Sequence, residues 1–325
     1  MAKTLMVKAL IVKIMTAQLF TLIVSLFSFS VYSQQTLGDQ TESTRQLAQA
    51  FLHKVYIDKN IKAAYQAYAA VDFIQHNPEM ANGIAGHQAF FAEKAKKSHG
   101  KTAHWVNVNN LVLVDNNLFA LFHHAFTHAE DKGRVFVDIW RVEAGRIVEH
   151  WDVIQPMPTS FKHNNGMVCQ KGNDFASATL LAPTLYNPTC GAPDTSTTRT
   201  ASLSVLNNYV SMLVNGDVEK AINTWFAKGY RQHSPTIEDG IDGAISYLIK
   251  EFGKGKAAMP KQIGKPRIIA EGDYVLSHRQ VRYPNETRLF YNVDIFRITQ
   301  GKISEHWDIK QQQQPETSAN SNGMW

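Results

Sequence analysis

The tetrapeptide Glu-His-Trp-Asp is written twice, at 149–152 and again at 305–308. Each copy sits in a longer match, "VDIWRVEAGRIVEHWDVIQ" (137–155) with "VDIFRITQGKISEHWDIKQ" (293–311). Upstream, "DFIQHNPEMANGIAG" (72–86) matches "GYRQHSPTIEDGIDG" (229–243); downstream, "NGMV" (165–168) matches "NGMW" (322–325). Features recur in the same order and at nearly constant separation, the mark of a duplicated domain. Any architecture for one half must therefore serve the other.

Repeat one runs over 41–168 and repeat two over 200–325. Between them, 169–199 is rich in Thr, Ala, Pro and Gly and reads as a linker. A chain of 325 residues suits two domains of ordinary size. Residues 1–33 read as a signal peptide, with a basic start, an apolar stretch and small residues at Val31 and Ser33. This places the mature chain in the periplasm or outside the cell; an uncleaved anchor is the alternative. Lys3, Lys8 and Lys13 lie in that segment, which holds no acid, so its removal takes the formal charge from +5 to +2. The balance gives no reason to expect nucleic acid, or a membrane after signal removal, as a partner. Cys169 and Cys190 are the only cysteines. In an exported chain they are expected to pair, closing a 21-residue loop worth about 3 kcal/mol. No Cys/His ligand spacing is present, so neither metal nor cofactor is expected.

Within each repeat, apolar spacing in "TRQLAQAFLHKVYI", "IKAAYQAYAA" and "VEKAINTWFAKG" predicts helices, with Asn60 and Asp217 as N-caps. A third helix follows in "GHQAFFAEKAKK" and "GAISYLIKEFGKG". Then come β-branched and aromatic runs and two hairpins turning at "EAGR" and "TQGK". Helices first and about four antiparallel strands after them predict an α+β fold, with helices packed on one face of a curved antiparallel sheet.

Strand alternation puts Val148, His150 and Asp152 on one face and Ile147, Glu149 and Trp151 on the other. The sequence leaves open which face meets the helices. A carboxyl in an apolar pocket has a raised pKa, which makes Asp152 and Asp308 candidate general bases. His150 and His306 share their face. His76 and His233, in "QHNP" and "QHSP", are candidate proton shuttles or donors near a cavity mouth. Asp138 and Asp294 lie on the partner strand as pocket candidates, with a salt bridge to Arg141, Arg297 or a neighbouring strand as the structural alternative. Trp140, Phe296, His123 and His278 complete the expected lining.

Taken together, "FIQHNP", "GIAG", "VDIWRVEAGRIVEHWDVIQPMP" and "NGM" resemble the SnoaL-like polyketide cyclase family, within the nuclear-transport-factor-2-like superfamily. The resemblance covers both repeats and implies two tandem cone-shaped α+β barrels. It implies metal-free proton abstraction next to a carbonyl, of aldol, isomerase or lyase type, on a small apolar or carbonyl-containing molecule. On this chain the base is then Asp152 or Asp308, and the donors are His76, His233, His150 and His306. A non-catalytic ligand-binding module is the second reading, and a dimerisation module the third. Folds of this kind often pair through their sheets, so an intramolecular pseudo-dimer is expected.

Overall fold

In the two hairpin turns, Ala144–Gly145 and Gln300–Gly301 all have φ between 47° and 72°. Two successive left-handed residues make the turn whose twist matches a two-residue hairpin. The computed structural model describes residues 38–97, 106–126, 131–168, 190–252, 259–314 and 319–325. The signal-peptide segment and Cys169 lie outside the described residues. So does the expected pairing of Cys169 with Cys190, which is itself buried.

Repeat one contains α1 (38–52), a π-turn (His53–Ile57), α2 (Ile61–Tyr68), β1 (Ala69–Gln75), α3 (Gly83–Lys97), β2 (Val106–Asp115), β3 (Leu118–Phe126), β4 (Arg134–Glu143) and β5 (Arg146–Pro156). Repeat two contains α4 (Arg199–Val214), α5 (Val218–Trp225), β6 (Phe226–Gln232), α6 (Gly240–Phe252), β7 (Lys261–Glu271), β8 (Tyr274–Arg282), β9 (Phe290–Thr299) and β10 (Lys302–Gln312). Asn60 caps α2, its side chain accepting from the Ala63 N–H; Asp217 stands at the equivalent place but makes no side-chain cap bond.

Each repeat forms one five-stranded sheet, in the orders β1-β5-β4-β3-β2 and β6-β10-β9-β8-β7. Two expectations are corrected. The sheets are mixed, because β1 and β6 pair in parallel with β5 and β10. The second helix of each repeat also stops at Tyr68 or Trp225, and residues read as its end form that extra strand. A bulge shifts the register between Ile147 and Glu149, and between Ile303 and Glu305. The extra residue moves Ile147 to the helix side with His150, against simple alternation.

The helix-covered face of each sheet has its own core, around Phe51, Tyr65 and Trp140 in repeat one and Tyr209, Phe226 and Phe296 in repeat two. The opposite faces of both sheets share a third core, in which Trp151, Ile139 and Phe122 join Trp307, Ile295 and Tyr274. Residues 44–325 accordingly form one compact unit.

The polar contacts across that shared core are reciprocal. Arg45 pairs with Glu271 at the end of β7, and Arg199 with Asp115 at the end of β2. The Ile154 N–H donates to Gln311 Oε1, and the Lys310 N–H to Gln155 Oε1. The Lys162 N–H donates to the Pro235 carbonyl and the Ala319 N–H to the Pro78 carbonyl. The duplicated "NGM" segments are exchanged: Asn165 Nδ2 donates to the Gln232 carbonyl, and Asn322 Nδ2 to the Gln75 carbonyl. Each repeat's tail is thereby seated on the other repeat's "QH" motif.

Candidate functional site

β4 and β5 bring Asp138 opposite Asp152, and β9 and β10 bring Asp294 opposite Asp308. All four carboxyls lie on the helix side of their sheets, three of them buried and Asp294 partly so, with His150 and His306 beside them. The face left open by the sequence is therefore the inward one.

In repeat one, Asp138 accepts from His123 Nε2 at 2.9 Å and from His150 Nε2 at 3.1 Å. The other nitrogen of His150 faces Gln75 Oε1 at 3.0 Å. That oxygen also accepts the Asn77 N–H, which fixes it as an acceptor. Both His150 nitrogens thus face acceptors. Burial pushes the Asp138 carboxyl up, but the hydrogen bonds from His123 and His150 outweigh it and hold it down at about 2. Asp152 differs. Burial pushes its carboxyl up to about 6, against the opposing field of His150 and the hydrogen bond from Asn77. Asn77 Nδ2 donates to Oδ2 at 2.6 Å, while Oδ1 is buried with no hydrogen bond among the described residues.

In repeat two the same backbone carries a different set. Arg279 Nη2 donates to Asp294 at 2.5 Å, and His306 Nε2 faces the other oxygen at 3.2 Å. Burial opposes ionisation of Asp294, yet Arg279 and His306 hold its carboxyl well below the usual range. Lys310 pairs with Asp308 at 3.0 Å. Against burial, Lys310 and His306 keep the Asp308 carboxyl lowered. The residue corresponding to Lys310 beside Asp152 is Ile154, which accounts for the opposite shifts of the two aspartates.

The interiors differ in space as well. A cavity of about 390 Å³ opens in repeat two between α4, α6 and the sheet. Leu206, Tyr209, Tyr230, Leu248 and Phe296 contribute its apolar wall; Arg279, Asp294, His306, Asp308 and Lys310 lie at its polar end. Asn292 also lines it, with Oδ1 buried and accepting no hydrogen bond among the described residues. Ala244 of α6 lines this cavity, and its counterpart on α3 is His87. The His87 ring is buried against Tyr65, 3.7 Å between centroids, and Phe91, and burial lowers its pKa to about 3. An imidazole in repeat one thus takes the position at which repeat two has a methyl group.

Several expected site residues lie elsewhere. His76 and His233 are on the opposite side of the sheet from the aspartates, stacked on Trp151 and Trp307 at 5.1 and 4.4 Å. His76 faces Glu149 at 2.8 Å and the Gly323 carbonyl at 2.8 Å; His233 faces Glu305 at 3.0 Å and the Gly166 carbonyl at 2.9 Å. They lie apart from the aspartates and hold the exchanged tails. His278 is also displaced. Ser277, Arg279 and Val281 of β8 line the cavity, so alternation turns His278 away, where it meets Trp325 at 4.7 Å. The counterpart of His123 is Arg279. Trp140 is core, stacked on Phe119 and His150, whereas Phe296 lines the cavity. Arg141 and Arg297 do not pair with Asp138 or Asp294; they pair with Glu149 and with Asp273 and Glu305.

Asp138, His150 and Asp152 can bring three ligand atoms within 4.8 Å of one another. Metal binding needs a lone pair on His150, but both its nitrogens are directed at acceptors, so the donor set fits an ion-pair network better than a metal centre. Among the described residues, no helix is long and apolar enough to cross a membrane.

No protein-family model matches the chain, and no curated protein does. Solved structures similar to it include nuclear-transport-factor-2-like and SnoaL-like proteins. One is a nuclear-transport-factor-2-like protein of unknown function from Burkholderia xenovorans, 18% identical, with 34% of this chain and 83% of that one covered and a TM-score of 0.28. Another is an M. tuberculosis LEH-like epoxide hydrolase, 17% identical over 34% and 84%, TM-score 0.28. A third is a SnoaL-like family protein from Agrobacterium tumefaciens, 14% identical over 34% and 98%, TM-score 0.28. None of these likenesses assigns a residue or an activity to this chain.

Proposed function

We propose that the protein binds a small, largely apolar molecule with a polar end, and that repeat two is the binding repeat. The observation that carries this is the 390 Å³ cavity, apolar on its walls and polar at one end. That size and make-up match small-molecule pockets in general. Repeat one supports the fold, with His87 and Trp140 filling its interior. The resemblance to SnoaL-like proteins adds the expectation of a carbonyl on the ligand, and the N-terminal segment adds the expectation of export.

The test is titration with 2-acetylnaphthalene, followed by ¹⁵N chemical shifts. Shifts are expected along α4, α6 and β8 with saturable binding. Ala244→His, which gives repeat two the side chain of repeat one, is expected to weaken binding at least about tenfold, a loss of about 1.4 kcal/mol. Shifts confined to repeat one, or undiminished binding in a folded Ala244→His variant, would remove repeat two as the binding repeat.

Proton transfer is a second reading, favoured by Asp152, whose carboxyl titrates near 6. Its expected signature is Cα–H exchange of a ketone in D₂O that is lost in Asp152→Asn and kept in Asp308→Asn. Exchange kept in Asp152→Asn would exclude Asp152 as the base.

A further inference from the structure

We propose that the ligand of the repeat-two cavity is a monoanion, an apolar carboxylate whose charged end meets Lys310 and Arg279. This rests on the cavity being a small-molecule site and adds the charge of what enters it.

The inference comes from the charged groups on the cavity lining. Asp294 and Asp308 supply two negative charges, and Arg279 and Lys310 two positive ones, paired one to one. His306 adds the fifth group. Its Nδ1 faces Gln232 Oε1 at 3.2 Å, and that oxygen already accepts the N–H groups of His233 and Ser234. Its Nε2 faces Asp294 at 3.2 Å. These contacts hold the ring beside the two ion pairs. Glu251, the other charged residue on the lining, is exposed on α6 and solvated. Two cations on an apolar-walled cavity, each with N–H donors left over from its ion pair, favour one anionic group on the ligand.

The donors to receive it are in place. Lys310 has three N–H donors and gives one to Asp308; Arg279 has five and reaches Asp294 through Nη2. Both side chains are about one-third exposed, 34% and 35%, so neither is sealed by its partner. A carboxylate is suited to both, because charge-assisted hydrogen bonds are the strong ones. Repeat one has neither cation: Ile154 stands in the place of Lys310, and His123 in that of Arg279.

Calorimetric titration with 2-naphthoate and 2-acetylnaphthalene separates the possibilities, since the two share a ring system and differ in charge. The carboxylate is expected to bind at least about tenfold more tightly, the gain of a charged hydrogen bond. Lys310→Ile is expected to cost the carboxylate about tenfold and the ketone less than about threefold, while Lys310→Arg keeps the preference. Arg279→Gln serves as the second variant should Lys310→Ile not fold. Equal or tighter binding of the ketone overturns the monoanion and leaves the cavity as a binding site. A carboxylate preference that survives both Lys310→Ile and Arg279→Gln overturns it too. Binding of neither compound removes the small-molecule reading and this inference with it.

Discussion

The double variant Asn322→Ala/Met324→Ala is expected to lose about 3–8 kcal/mol of folding stability. Met324 is 5% exposed and lies in the core shared by the two sheets. Truncating a buried Met to Ala costs about 2–5 kcal/mol through lost burial and the cavity left behind. Asn322 holds the Gln75 carbonyl at 2.9 Å and Asn82 Oδ1 at 2.6 Å. Leaving those acceptors unpaired adds about 1–3 kcal/mol, less where water reaches them. The same segment supplies the Gly323 carbonyl to His76, whose other nitrogen holds Glu149. Loosening the tail therefore loosens a hydrogen-bonded chain that continues to Arg141. Domains of ordinary size are stable by only about 5–15 kcal/mol, so the variant approaches the limit of folding. Urea unfolding measures this directly. A loss below about 1 kcal/mol would mean that the tail is an ornament on an independently stable pair of sheets. Asn165→Ala/Met167→Ala is expected to behave alike, because Asn165 and Met167 make the reciprocal contacts.

What the sequence revealed and concealed divides along the range of the interactions. The repeat, the Asn60 cap and the two hairpin turns are local, and each was legible as identity, capping chemistry or a Gly in a turn. β1 and β6 were not. "NTWFAKG" continues the helix before it without a Gly or Pro to stop it ahead of Phe226, and only parallel pairing with β10 makes it extended. The bulge after Ile147 was equally hidden, since alternation assumes an uninterrupted ladder.

The same division explains the site. Identity between the repeats drew attention to His76 and His233, but what is identical here includes the machinery joining the repeats. The signal that separated them was present: "NGM" is duplicated at the same spacing as "QH", and neither Asn nor Gly suggests a base. The residues that make repeat two different are those that fail to match. Lys310 against Ile154, Arg279 against His123 and Ala244 against His87 set the charge and the space of the cavity. A search for repeated motifs passes over such positions by construction. His278 was one residue out of place for a related reason: matching His to His in "LFHHAF" and "VLSHRQV" crosses from one strand face to the other.

Asp152→Asn is expected to stabilise the protein at pH 8 by up to about 3 kcal/mol, and Asp308→Asn to destabilise it. The folded Asp152 carboxyl titrates at about 6, above its ordinary 3.8, with burial the main cause. A raised acid pKa means that the folded state binds the proton more tightly. Its contribution is therefore fully present below pH 3.8 and is lost as pH rises through 6. Two units of displacement correspond to about 3 kcal/mol against the folded state above pH 6. Asn carries no charge to desolvate, and its Oδ1 keeps the hydrogen bond from Asn77, so the penalty disappears. At pH 4 the wild-type carboxyl is already protonated when folded, and the two proteins should unfold at nearly the same denaturant concentration. Asp308 runs the other way. Its pKa is lowered despite burial because Lys310 and His306 favour the ionised form. Its contribution is present above the ordinary carboxylate range and fades as pH falls below it. Asp308→Asn leaves Lys310 without its counter-ion, at a cost of about 1–3 kcal/mol at pH 8 once the partial exposure of Lys310 is allowed for. Denaturant unfolding of the three proteins at pH 4 and pH 8 checks both signs. A loss of stability in Asp152→Asn at pH 8 would show that the ionised carboxylate is held by partners in the folded state. Repeat one thus holds a buried carboxyl that weakens the fold when it ionises, whereas Lys310 favours the ionised form of its counterpart in repeat two.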